Sequence, residues 1–265
     1  MSIDVDPDWW KSLFDEVYLV TDARSVGDET VTRQEIDIFT TLVPMQLHER
    51  ILDLCGGHGR HALELCRRGF DDCTVLDYSA SLLKIGECQA GRLDCSVRFV
   101  QGDARRTALP SATFDHVLIL GNSLGYIPEP EADLSILQES RRLLKPGGWL
   151  LLDVTDGTAV RRKIAPSAWH EIGEDVVVCR QREIRDDCVC AREMVLSKGQ
   201  GMIRDRTYRI RLYDADALQG LVDRAGFEDV QVHTDAAVLQ REVDVGCMNH
   251  RLLVAARRPS TASCL

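Results

Sequence analysis

The run Asp53-Leu54-Cys55-Gly56-Gly57-His58-Gly59-Arg60 sets one carboxylate and three glycines within a few residues. Glycine lets a backbone turn sharply and come close to a ligand, so such a loop between a strand and a helix reads as a binding turn. A dinucleotide loop has the form Gly-x-Gly-x-x-Gly. Here Gly57-His58-Gly59 is followed by Arg60-His61-Ala62, a variant which that loop tolerates. The acidic Asp53 ahead of it is less expected there. A second carboxylate, Asp77, follows about 24 residues later in Val75-Leu76-Asp77-Tyr78-Ser79. At the end of the next strand it can accept both hydroxyls of a ribose. Ser79 serves to cap the following helix at least as well as Asp77. A third carboxylate stands in Gln101-Gly102-Asp103-Ala104.

An alternation of strands and helices has to hold these three acids. Strands are expected at Ile51–Leu54, Cys73–Leu76, Val97–Val100, His116–Leu120 and Trp149–Val154. Helices are expected at His58–Arg68, Ser79–Ala90 and Glu131–Leu144. This rhythm with short connections implies a parallel sheet covered on both faces, with ligands beyond the carboxyl ends of its strands. Before it, Asp8–Val20 has helical spacing with an aromatic face, and a second helical pattern spans Thr32–Leu42. After Asp156 a short helix, Thr158–Lys163, is followed by three β-like runs: Asp175–Arg185, Cys188–Leu196 and Met202–Tyr213. The chain then returns to a helix, Asp214–Ala225, and a closing strand pair, Val230–His233 and Asn249–Ala256. The expected organisation is one domain over 1–258. It has a helical cover (1–48), a core (49–156), an antiparallel insertion (157–213), a closing part (214–258) and a frayed tail (259–265).

The loop at Asp53, with Asp77, Gly102-Asp103-Ala104 and Leu143-Leu144-Lys145-Pro146-Gly147-Gly148-Trp149-Leu150, resembles class I S-adenosylmethionine-dependent methyltransferases over roughly Arg50 to Asp156. Trp9-Trp10-Lys11-Ser12-Leu13-Phe14 and the insertion are similar to the small-molecule branch of that family. The resemblance implies a Rossmann-like, mostly parallel sheet of seven strands and S-adenosyl-L-methionine as cofactor. It implies that Gly56, Gly57 and Gly59 lie against the methionine part, with Asp53 at its amino group. Asp77 and Tyr78 would serve the ribose, and Asp103 and Ala104 the adenine. Gly121 and Asn122, after the fourth strand, would adjoin the cofactor, and Tyr18 would close over it, an aromatic face being favourable beside a sulfonium.

Methyl transfer is an in-line displacement in which positioning and desolvation count for much. An alcohol or phenol acceptor usually wants a general base as well. Tyr126 and His170 are the candidates. The acceptor pocket is expected between Gly121–Tyr126, the N-terminal cover and the insertion near Trp169–Glu171, with Ser123 and Trp169 touching the substrate. Nine basic against six acidic side chains lie between Asp175 and Tyr213, in a chain of net charge -10. Arg209 and Arg211 are therefore candidates to hold an anionic acceptor.

The acidic balance makes nucleic acid an unlikely partner. With 45% hydrophobic and 28% charged residues, the chain can bury a sizeable core. No apolar run reaches the roughly 18 residues of a membrane span, and the acidic N-terminus lacks a signal-peptide pattern. A cytoplasmic location is expected and a homodimer is left open. The 10 cysteines include no Cys-x-x-Cys pair, so no metal is expected. The reading is methyl transfer to nitrogen or oxygen of a small molecule. Its rivals are an aminopropyl transferase, a nicotinamide oxidoreductase, which Asp103 disfavours, and a non-catalytic cofactor-binding protein.

Overall fold

The computed structural model describes residues 2–22, 26–234 and 250–260. Five parallel strands come first: β1 (Arg50–Leu54), β2 (Asp72–Asp77), β3 (Val97–Gln101), β4 (Phe114–Ile119) and β5 (Leu144–Thr155). Strand β11 (Arg251–Arg257) pairs antiparallel with β5, and β10 (Glu228–His233) pairs antiparallel with β11. The order is β10-β11-β5-β4-β1-β2-β3, a mostly parallel seven-stranded sheet.

The strands read as near-continuous apolar runs because both faces are covered. On one face Ile36 and Phe39 of α2 (Glu29–Leu42), Leu65 of α3 (Arg60–Arg67) and Leu83 of α4 (Ala80–Leu93) pack on Ile51, Val75 and Leu118. On the other, Ile136 and Leu137 of α5 (Ala132–Leu143) and Leu218 and Val222 of α7 (Ala215–Arg224) pack on Leu52, Val117 and Leu152. The chain winds outward from β1 to β3 on one side and from β4 onward on the other. The β1–β4 boundary is therefore the switch point at which open sheets of this kind bind ligands.

The N-terminal segment departs from the single helix its spacing suggested. A 3-10 turn, Trp9–Lys11, ends at Ser12, and α1 begins only at Glu16 and ends at Thr21. Asp15 makes the restart: its carboxylate accepts from the Val17 and Tyr18 amides at 2.9 and 3.2 Å, satisfying donors that a continuous helix would have bonded internally.

Between β5 and α7 the chain forms α6 (Gly157–Lys163) and a separate antiparallel sheet. Its strands are β6 (Ser167–Ile172), β7 (Val176–Arg185), β8 (Cys188–Ser197) and β9 (Gly201–Arg211), so it has four strands where three were expected. The register puts Arg180, Arg182, Ala191, Glu193, Arg204 and Tyr208 on one face, and Trp169, Arg209 and Arg211 on the other. The first face looks toward the carboxyl ends of the main sheet. Asn249 of the expected closing pair, and 261–265 of the expected frayed tail, lie outside the described residues.

Candidate active site

At the carboxyl end of β1 the chain turns through Cys55 (φ 61°), Gly57 (φ 60°) and Gly59 (φ 75°) into α3. Asp53, the last residue but one of β1, is 1% exposed. Among the described residues neither of its carboxylate oxygens has a hydrogen-bond partner at bonding distance, and the Ala62 amide gives only weak support. Burial pushes its pKa up to about 7, with Arg60 pulling it down and Asp77 raising it further. Gly56 packs directly over this group, where a Cβ would stand 2.6 Å from the Asp53 Cγ. A buried carboxylate left without partners at a ligand-binding turn waits for a cation or a donor from the ligand.

Arg60, the first residue of α3, was not foreseen. Its Nη1 donates to Thr32 at 2.9 Å and to Glu35, and His61 Nε2 joins the same Glu35 oxygen at 2.9 Å. The guanidinium reaches across the cleft until Nη2 is 3.9 Å from where a Gly121 Cβ would stand. That nitrogen has no acceptor among the described residues. The signal was in the sequence: the first helical residue after a glycine loop faces the ligand. Burial, then Arg60, lowers His58 and His61 to about 4, so both imidazoles are neutral at pH 7.

The Asp77 carboxylate accepts from the Gly57 and Ser79 amides, both at 2.8 Å, and ties the glycine loop to the start of α4. Burial raises its pKa against those bonds. Ser79 is the N-cap, accepting from the Leu82 amide at 3.2 Å. Asp103 is taken up by Arg105 at 2.7 Å, which holds its pKa below the ordinary value. That guanidinium lies 5.4 Å from the centroid of the Trp10 ring, and Trp10 meets Tyr78 at 4.9 Å between centroids. Trp10 and Tyr78 thus form a rim above Ala104, which is buried.

The loop after β4 is strained where it meets the cleft: Gly121 and Asn122 have φ of 68° and 64°. Asn122 accepts from the Thr155 amide at 2.8 Å and donates to the Tyr126 hydroxyl at 3.4 Å. Ser123 donates to the Leu120 carbonyl at 2.7 Å and, at 3.3 Å, to that of Cys55, joining the two loops. Tyr126 is half-buried against Phe14, 5.3 Å away and stacked, and against Trp9 at 5.5 Å. Burial raises its pKa, so it is a neutral phenol at any ordinary pH.

Two of the cavities among the described residues meet at this loop. The first, about 1080 Å³ with its open mouth, holds Asp53's glycine loop, Arg60, Asp77, Asp103, Ala104 and Gly121 on its walls. The second, about 720 Å³, lies under the insertion, lined by Trp9, Asn122, Arg180, Arg182, Glu193 and Tyr208 among others. Phe14, Tyr18, Val26, Gly121 and Tyr126 belong to both, so the cavities meet at an aromatic partition.

Four expected site residues are placed elsewhere. Trp169 is 71% exposed, on the far face of an edge strand. His170 is on the near face of β6 but lines neither cavity. Arg209 is on the far face too. Arg211 pairs with Asp133 and donates to the Ile127 and Pro128 carbonyls, fixing the loop that follows Tyr126. A strand alternation defines two faces but does not say which one turns inward.

Among the described residues no helix is long and apolar enough to cross a membrane, and no cluster of acids, histidines and cysteines could hold a metal.

Residues 51–148 match the family described as methyltransferase domain. The chain is similar to a putative methyltransferase, YqeM, of Bacillus subtilis (strain 168), 25% identical over 89% of this chain and 96% of that one. Among solved structures it is similar to the CcbJ methyltransferase from Streptomyces caelestis, with TM-score 0.73 and 20% identity over 96% of this chain and 99% of that one. It is also similar to the sugar N-methyltransferase KedS8 from Streptoalloteichus sp ATCC 53650, with TM-score 0.69 and 20% identity over 98% and 97%. The glycine loop, the buried acid and the switch-point cleft are built largely from residues 51–148, the segment that matches the methyltransferase domain family.

Proposed function

We propose that this enzyme moves the methyl group of S-adenosylmethionine to a nitrogen or oxygen of a small molecule seated in the second cavity. The observation that carries the reading is the shared aromatic partition: among the described residues the two cavities have Phe14, Tyr18 and Tyr126 in common, with Val26 and Gly121.

S-adenosylmethionine supplies an electrophilic methyl on a sulfonium. Asp53 would hold the ammonium of its methionine end, and Arg60 Nη2 would hold the carboxylate. Asp77 keeps lone pairs for the ribose hydroxyls beside its two amide bonds. The backbone at Ala104 and the rim of Trp10 and Tyr78 hold the adenine, with Asp103 and Arg105 at its edge. Phe14, Tyr18 and Tyr126, which line both cavities, would offer aromatic surface to a cationic sulfonium and would exclude water from the place of transfer. Tyr126, held as a neutral phenol, positions the acceptor and does not take its proton.

Labelled methyl transfer to a panel of small amines, alcohols and phenols, read by mass spectrometry, tests this. Tyr126→Phe should lower kcat less than about tenfold, since a general base contributes roughly 10²–10⁴. A larger loss, with a pH profile changed on its basic limb, would restore Tyr126 as the base. Label found only on carbon would overturn the choice of nitrogen or oxygen.

A further inference from the structure

Resting on the reading of the second cavity as the acceptor's seat, we propose that the acceptor carries an anionic group, a carboxylate or a phosphate, and that Arg182 holds it.

Three arginines of the insertion line this cavity. Two are committed on both sides. Arg180 lies between Glu193 at 2.8 Å and Asp22 at 3.3 Å, and Arg204 between Glu193 at 3.5 Å and Asp15. Both are buried. Arg182 follows Arg180 by two residues on the same face of β7 and is half-buried. Among the described residues its guanidinium has no ion pair and no hydrogen bond. Both carboxylates on the cavity wall, Asp22 and Glu193, are drawn to Arg180, so neither is free to answer it.

The register makes room for a ligand there. Arg182, Ala191 and Tyr208 form one row across β7, β8 and β9. The outer two are two strand spacings apart, roughly 10 Å, and the alanine between them fills little of the gap. Trp9, whose ring is 5.9 Å from that of Tyr208, lines the cavity as well, and among the described residues its buried indole N–H has no partner. A guanidinium and an indole N–H are donors without acceptor capacity. What complements them is a group rich in acceptor oxygens, and a planar guanidinium fits a carboxylate or phosphate through two parallel bonds.

The test uses the full chain loaded with S-adenosylhomocysteine and three salts at equal ionic strength: sodium phosphate, sodium acetate and sodium chloride. Phosphate or acetate should raise the melting temperature above that in chloride by about 2 °C or more. Phosphate alone would assign a phosphorylated acceptor, and acetate alone a carboxylate. Arg182→Met should abolish the increment, and Arg182→Lys should reduce it. Arg206→Met, an exposed arginine on the same face, should keep it. Calorimetric affinity for S-adenosylhomocysteine should be unchanged in all three variants. No anion effect on the wild type, or an equal effect in Arg182→Met, overturns the proposal while cofactor binding still supports the wider reading. If the wild type does not bind S-adenosylhomocysteine, the reading of the site is overturned and the proposal with it.

Discussion

Asp53 and Asp77 show how much the cofactor cleft costs the free protein. An aspartate has an ordinary pKa near 3.9, and burial raises Asp53 to about 7. The folded state therefore holds its proton more tightly than the unfolded chain does. Stability falls as pH rises from about 4 to about 7, and the loss is complete above that. Asp53→Asn should accordingly stabilise the ligand-free protein at pH 8 by about 2–4 kcal/mol, with the gain vanishing below about pH 4. The same change should weaken S-adenosylhomocysteine binding, because the ammonium loses its anion. Wild-type affinity should fall about tenfold per unit below pH 7. Melting curves and titrations across that range check both signs; a destabilised Asp53→Asn at pH 8 would mean the carboxylate has a partner in the free state. Asp77 differs, because its oxygens already serve the Gly57 and Ser79 amides. Asp77→Asn keeps the shape but loses the charge and one acceptor. It should weaken cofactor binding by about 1.5–3 kcal/mol and cost about 1 kcal/mol of stability. Unaltered calorimetric affinity would remove the ribose role.

The elements that hold these residues differ in how readily the sequence reveals them. The strands of the core are apolar runs ended by glycine or acid, and β1 to β4 were visible within a residue or two of their ends, whereas β5 starts at Leu144, five residues before the expected Trp149. The break at Asp15 was not, because aromatic spacing continues through it and only the side-chain bonds to Val17 and Tyr18 show that a new helix starts. Strand β6 was missed because Ser167–Ile172 is a short edge strand that mixes polar and apolar residues and buries none of them fully. The committed arginines were in view as a local positive excess, yet their partners, Asp15 and Asp22, are more than 150 residues away in the chain. Those pairings have a mechanical consequence. Arg204 grips the N-cap of α1 and Arg180 its C-cap, with Glu193 bracing both. This network latches the segment carrying Phe14 and Tyr18 to the insertion. Arg204→Met leaves Glu193 and Asp15 without that cation. It should raise amide exchange across residues 13–22 and weaken cofactor binding at least threefold, since α1 walls the cleft. Exchange unchanged there, with the rest of the protein equally protected, would show that aromatic packing alone keeps α1 in place.

At the scale of the molecule, stability and chemistry are carried by different parts. The two apolar layers against the seven-stranded sheet draw on α2, α3 and α4 on one face and α5 and α7 on the other, and the segment before α2 adds only Trp10, at the margin of one layer. That segment instead supplies Trp9, Trp10, Phe14 and Tyr18 to the cavity walls. It lies between the main sheet and the insertion, so neither cavity is closed without it. A chain beginning at Gly27 should therefore still unfold cooperatively, with a melting temperature lowered by only a few degrees, because the sheet and its covering helices remain. What it should lose is the response to ligand. Saturation at a hundredfold excess over Kd is worth about 2.7 kcal/mol, a rise of roughly 5–10 °C for a fold of this size. The wild type should show that rise with S-adenosylhomocysteine, and the shortened chain most of its disappearance, together with loss of methyl transfer. The converse result, a shortened chain that keeps the full ligand-induced rise, would mean that Asp53, Arg60 and Asp77 hold the cofactor unaided. The N-terminal segment would then serve the acceptor alone, and its loss should raise the acceptor's KM while leaving cofactor affinity intact.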